Sequence, residues 1–220
     1  MNRMATEAAS GIILRTQPLT ETSLIVQWLT ADFGRLTTVA KGARRAKSPF
    51  LGKLDLFYEA AFSFSRSRKS ELHSLREVSV RQMHLELRAD LLKLQQAAYG
   101  AAFILQVTES ETPLPGYFEL FQEFLKKLCR QKPSAQTIFS LELKLLRELG
   151  LQPDWPETNL TAGSGKIAAH LLEKGFEAAE NLRLTGAQND EIQRFLHGYL
   201  IFHLGRLPKG RAAALEIVEN

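Results

Sequence analysis

Cysteine is almost missing from this chain. Cys129 stands alone among 220 residues, so no internal disulfide forms and no cysteine-rich zinc site can be assembled. Long apolar runs are missing too: the most apolar stretch, 97–107, is broken by Tyr99, Gly100 and Gln106 and is too short to cross a bilayer. The first ten residues mix Arg3 and Glu7 with apolar residues and do not read as a secretory signal. The five histidines, His73, His84, His170, His197 and His203, are scattered and form no i,i+4 pair. No Gly-x-Ser-x-Gly elbow, paired-carboxylate motif, internal repeat or low-complexity tract occurs. These absences predict a reducing, intracellular setting, with no membrane, no metal, no cofactor, no small-molecule substrate and no catalytic residue. A diffuse active site, as in a nuclease, is the enzymatic alternative.

One stretch imitates a phosphate-binding loop. Gly163-Ser164-Gly165-Lys166 lacks the required Gly at Leu160 and the required Ser or Thr at Ile167. It reads instead as a flexible turn before a helix.

What the chain does have is an uneven charge. The net is +4, but residues 1–82 hold thirteen Lys/Arg against seven Asp/Glu, whereas residues 83–220 hold fifteen against seventeen. A basic first third joined to a slightly acidic remainder suggests a polyanion-binding module fused to a part with another task.

The first part reads as strands. Gly11–Arg15 is a short apolar run, 22–30 places Leu24, Val26 and Trp28 on one face, and Asp32-Phe33-Gly34 supplies a turn before 35–41. Leu54–Phe64 alternates with Tyr58, Ala60, Phe62 and Phe64 on one side, and 71–80 returns as the last strand. Five short strands favour a closed barrel, which leaves no exposed edge. The rest carries helical spacing over 85–105, 117–130, 135–149, 166–179 and 190–204, with an irregular loop near 151–165. The expectation is an α+β chain of two domains: an OB-like barrel over 1–82 and an all-α domain over 83–220.

Two cation clusters stand out in the barrel region. Lys41-Gly42-Ala43-Arg44-Arg45-Ala46-Lys47 follows a strand, and Arg66-Ser67-Arg68-Lys69 sits at a hairpin tip. Such loops either protect sheet edges as solvated charge or neutralise successive phosphates. Two clusters in one basic domain favour the second role, with Arg35, Lys41, Arg44, Arg45, Lys47, Arg66, Arg68 and Lys69 as contacts. Phe33, Phe50, Phe57 and Tyr58 are candidates for stacking bases, although alternating aromatics are usually core. Spacing alone does not separate DNA from RNA, so an OB-fold RNA-binding protein of the translation apparatus is the alternative.

Taken in order, Gly11-Ile12-Ile13-Leu14-Arg15, Glu21–Val26, Thr30–Leu36 and Val39–Arg44 resemble the RecO family of recombination mediators. Leu75-Arg76-Glu77, the helix end at 141–150 and Leu207-Pro208-Lys209-Gly210-Arg211 are further family-like positions. The resemblance implies an N-terminal OB-fold, a helical C-terminal domain and a cytoplasmic, nucleoid-associated protein. It implies binding of single- and double-stranded DNA, strand annealing, and loading of RecA with RecR and single-strand-binding protein as partners. Many members carry a cysteine zinc site after the helix ending at Gly150. Here that stretch is Leu151-Gln152-Pro153-Asp154-Trp155-Pro156, so no zinc is expected. Some members also receive the acidic, Phe-ending tail of single-strand-binding protein, for which Lys144 and Arg147 are the candidate cations.

Overall fold

The structure, a computed structural model, describes residues 6–180 and 182–216. Its chain forms two compact units, one of residues up to Leu85 with Thr108–Gln122, the other of Glu86–Val107 with the residues from Glu123 onward. The return of 108–122 to the first unit carries no signal in the local sequence pattern.

Among the described residues five strands build the first unit: β1 (Thr6–Pro18), β2 (Leu24–Thr30), β3 (Arg35–Ala40), β4 (Glu59–Ser65) and β5 (Leu72–Gln82). They close in the order β1-β2-β3-β5-β4, with β4 pairing back on β1. Strand β1 makes closure possible by its length, since its first half pairs with β4 and its second half with β2. Its register shifts between Ile13 and Arg15, the kind of bulge that bends a strand around a corner. The seam between β3 and β5 is parallel and only three pairs long, Thr37↔Leu72 to Val39↔Ser74.

Period-2 alternation sends Ile13, Val26, Trp28, Leu36, Phe62 and Phe64 into the barrel core, and the register shift between β4 and β5 at Ser63/Phe64 lets Leu75 and Val78, three residues apart, both join them. Trp28 stacks on Phe62 with ring centroids 4.1 Å apart, and its indole N–H donates to Thr38 Oγ1 at 2.9 Å. That bond satisfies the single polar atom of the largest buried side chain. Gly11 is required by this packing: a Cβ there would lie 2.9 Å from the Leu29 carbonyl oxygen and from Thr30 Cγ2.

The sequence expectation of a strand over 54–64 is corrected at its start. Strand β4 begins at Glu59, and 41–58 is a chain of tight turns closed by Arg45 N–H to Gly42, Ser48 N–H to Arg45, Leu51 N–H to Ser48 and Lys53 N–H to Phe50. Phe57 takes a left-handed conformation, φ +66°, which breaks the alternation at that point. Both Phe57 and Tyr58 are thereby buried in succession.

Among the described residues seven helices follow: α1 (Leu91–Val107), α2 (Pro115–Arg130), α3 (Ala135–Glu148), α4 (Ala162–Glu173), α5 (Glu177–Glu180), α6 (Gly186–Leu204) and α7 (Arg211–Leu215). The expected single helix over 85–105 is a 3-10 turn over Leu85–Ala89 and then α1, because the Asp90 carboxylate caps Leu92 and Lys93 N–H and starts a fresh helix. Helix α3 is buried from Ala135 to Leu146 except at Gln136, so it is the centre of its unit. The architecture is α+β, an OB-like five-stranded barrel followed by helices.

The Gly163-Ser164-Gly165-Lys166 stretch is not a turn before a helix. It lies in the first turns of α4, whose N-cap Thr161 accepts a hydrogen bond from Ser164 N–H. The side chains of Thr161 and Ser164 both donate to Glu191, at 2.9 and 2.5 Å. That carboxylate occupies the helix N-terminus, where negative charge is favoured.

Candidate nucleic-acid interface

The cations of 41–47 project outward because their neighbours are pinned inward. Ala43 and Phe50 are buried in the barrel core cluster, leaving Lys41, Arg44, Arg45 and Lys47 exposed around them. Gly42, at φ +71°, makes the reversal that leads out of β3. Arg44 fixes the loop to its neighbour: its N–H donates to the Thr22 carbonyl at 3.0 Å and its guanidinium to the Thr20 carbonyl at 3.1 Å. A carbonyl partner leaves the charge of Arg44 uncompensated. The side chains of Lys41, Arg45, Lys47, Arg68 and Lys69 make no ion pair among the described residues.

Arg66 is placed differently from the other cations of its cluster. Its guanidinium is gripped by Glu7, with Nε to Oε1 at 2.9 Å and Nη2 to Oε2 at 3.2 Å, and by Glu111. The same group lies 5.8 Å from the ring centres of Phe33 and Phe64. The bonded Arg66 holds the Glu7 carboxyl below the usual carboxylate range, and Glu7 in turn raises the pKa of Arg66. His73, buried against Phe64, completes the network: its Nδ1 accepts from Ser67 N–H at 3.2 Å and its Nε2 meets Glu111 Oε1 at 2.8 Å. Arg66 therefore anchors the β4–β5 hairpin, and its expected place among the phosphate contacts is corrected to a structural one. Sequence reading had no route to this, because Glu111 is 45 residues away.

The hairpin and the 41–47 loop nevertheless share ground. Lys41, Arg66, Arg68 and Lys69 line one concavity of about 470 Å³, with Val39 and Leu72 as apolar wall. Arg35 lies elsewhere, half-buried, with Nη2 3.4 Å from Ser110 Oγ. A larger concavity of about 700 Å³ carries Lys53, Arg76 and Arg81, cations scattered in sequence that only the fold brings together. Asp32 and Glu77 share that lining and nearly balance it.

The stacking candidates are mostly core. Phe50, Phe57 and Tyr58 are buried, and Phe33, half-buried, packs edge-on against Phe64 at 5.8 Å. Alternation in a small barrel points aromatics inward first.

In the helical unit, Lys144 has a different place from the one expected. It is only 6% exposed; its Nζ donates to the Leu172 carbonyl at 2.7 Å and lies 5.7 Å from the Phe176 ring centre. Arg147 reaches the same carbonyl at 3.4 Å. Both cations thus meet the carbonyl end of α4, where positive charge is favoured, and desolvation lowers the Lys144 pKa. Lys144, a candidate cation for the acidic tail, is therefore buried, and Arg147 is the exposed member of the pair. The stretch 151–156 holds no cysteine, and among the described residues no three His, Cys, Asp or Glu side chains converge. The residues present do not fit a zinc site.

Comparison with known proteins bears on this arrangement directly. Residues 4–84 match the family model described as recombination protein O N terminal, and residues 88–158 match recombination protein O C terminal. The chain belongs to the RecO family. Among its relatives, DNA repair protein RecO of Haemophilus influenzae is 32% identical over 197 residues, covering 83% of this chain and 78% of that protein. Those of Rhodopirellula baltica and Syntrophus aciditrophicus are 32% and 29% identical over 143 and 153 residues, or 65% and 70% of this chain. The chain spans 53% and 59% of the lengths of these last two. Within the RecO N-terminal match lie all eight cations singled out in the barrel, and within the C-terminal match lie Lys144 and Arg147. Among the described residues no helix is long and apolar enough to cross a membrane.

Proposed function

We propose that this RecO-family chain is a DNA repair and recombination mediator that binds single- and double-stranded DNA through its barrel. It anneals complementary strands and helps load RecA onto single strands coated by single-strand-binding protein, with RecR and the acidic tail of that protein as partners. It works without bond chemistry, in a cytoplasmic, nucleoid-associated setting. The observation that carries the reading is the set of exposed cations on barrel loops, Lys41, Arg44, Arg45, Lys47, Arg68 and Lys69, which pair with no carboxylate among the described residues. Side chains of this kind neutralise phosphates on either strand while leaving base edges free to pair. Screening and local concentration then accelerate annealing.

The test is a titration of labelled single-stranded DNA across a salt series. With four to five cations engaged, the log–log slope is about −3, from roughly −0.7 per phosphate. Replacing Arg44, Arg45 and Lys47 together by alanine flattens the slope by about 2 and weakens binding to all sequences alike. A slope near zero, or a loss confined to particular sequences, rejects the reading. A matched RNA competitor that displaces DNA selectively would move the assignment to RNA.

A further inference from the structure

The concavity between the end of β3 and the β4–β5 hairpin differs from the 44–47 loop in shape and in chemistry. It is a half-open hollow of about 470 Å³, lined by four cations and no Asp or Glu, and walled on one side by Val39 and Leu72. Since Arg66 is engaged by Glu7 and Glu111, the uncompensated charge comes from Lys41, Arg68 and Lys69. Its volume lies in the range of single small-ligand sites, room for one nucleotide rather than for a strand passing through. A strand in transit offers one negative charge per diester and is served by an open row of cations. A strand end bearing a phosphomonoester offers about −1.5 to −2 charges and three acceptor oxygens at one point. Three unpaired cations lining one hollow beside an apolar wall match the second case.

We propose that this concavity receives the terminal phosphate of a DNA strand, with the phosphate on Lys41, Arg68 and Lys69 and the last sugar and base against Val39 and Leu72. The proposal rests on the DNA-binding reading above and adds an end preference to it. The experiment uses the full chain and three internally labelled single strands of one sequence and length, ending in a 5′ phosphate, a 3′ phosphate or hydroxyls only. At fixed salt, one phosphorylated strand binds about three- to five-fold more tightly than the hydroxyl-ended strand, and the arm that gains identifies the end. Ser74→Trp, at the lining of the concavity, fills it without changing charge; it brings the phosphorylated strand down to the affinity that the same variant shows for the hydroxyl-ended strand. Lys69→Gln, at the hairpin tip, reduces the preference in a variant whose fold is under no strain. Equal binding of all three strands overturns the end pocket and leaves the DNA-binding reading standing. Failure of every strand to bind overturns that reading itself. A preference that survives both substitutions overturns the location.

Discussion

The two units treat the same side-chain chemistry in opposite ways. In the barrel unit, Lys41, Arg45, Lys47, Arg68 and Lys69 stand in solvent on turns that apolar anchors hold in place. In the helical unit, Lys144 and Arg211 are buried and bonded to the protein itself. Arg211 reaches across to Glu142 with two hydrogen bonds, 2.7 and 3.0 Å, and Tyr99 donates to the same carboxylate at 2.5 Å. Glu142 sits on the buried helix α3, so its charge depends on these two partners. Lys41, Arg45, Lys47, Arg68 and Lys69 are available to a partner because they stand on exposed turns away from any carboxylate among the described residues, whereas Lys144 and Arg211 are enclosed. Counting charge per domain does not reveal that.

The comparison breaks most sharply at Arg211. Arg211→Met leaves Glu142 buried without its counter-ion, and chemical denaturation will show a loss of about 3–5 kcal/mol. DNA affinity, measured where the variant remains folded, stays within twofold if the barrel unit carries the binding. A large loss of affinity would merge the two roles held apart here.

Gly34 gives the next largest effect, this time in the barrel unit. It sits at φ +64°, and a Cβ there would lie 1.6 Å from the Thr112 carbonyl oxygen. Gly34→Ala should cost at least about 2 kcal/mol from strain and clash together, read as a lowered denaturation midpoint. An unchanged midpoint would mean that 108–114 does not pack as described.

Tyr99→Phe sharpens the helical side through pH. Burial, first, and the Glu142 charge push the Tyr99 pKa well above the ordinary value of 10.0. Above about pH 10 the unfolded chain gives up this phenolic proton while the folded chain keeps it, so stability falls as pH rises through that window. The slope attributable to Tyr99 reaches about 1.4 kcal/mol per pH unit. Melting curves between neutrality and pH 11 should show a steeper decline for the unmodified chain than for the variant, and parallel declines would refute the buried phenol.

The smallest effect separates neighbours within one hairpin. Arg66→Ala removes the partner of Glu7 and Glu111 and should lower stability by about 1 kcal/mol, whereas Arg68→Ala stays within about 0.5 kcal/mol. For DNA the order reverses, with Arg68→Ala flattening the salt slope by about 0.7. Equal effects of both substitutions in both assays would dissolve the distinction between anchor and contact.

Much of this was legible from residue patterns. Alternation at Val26, Trp28, Phe62 and Phe64 marks the inward faces, and the basic turn after β3 shows as four cations in seven residues. The start of β4 was misplaced because Phe57 and Tyr58 are both apolar and both buried, which period-2 reasoning does not allow. The first helical stretch looks continuous in sequence because its apolar spacing persists through the Asp90 cap. Lys144 looked like a surface cation because nothing nearby in sequence shows that α3 is enclosed on every side.

The sequence by itself determined the division into a strand-rich basic part and a helical part, and the family to which they belong, because periodicity and local charge are properties of short stretches. Only the tertiary structure decided which cations remain available. Arg66 met Glu111, and Arg211 met Glu142, across 45 and 69 residues. Electrostatic pairing depends on distance in space, and the chain order carries almost none of that information.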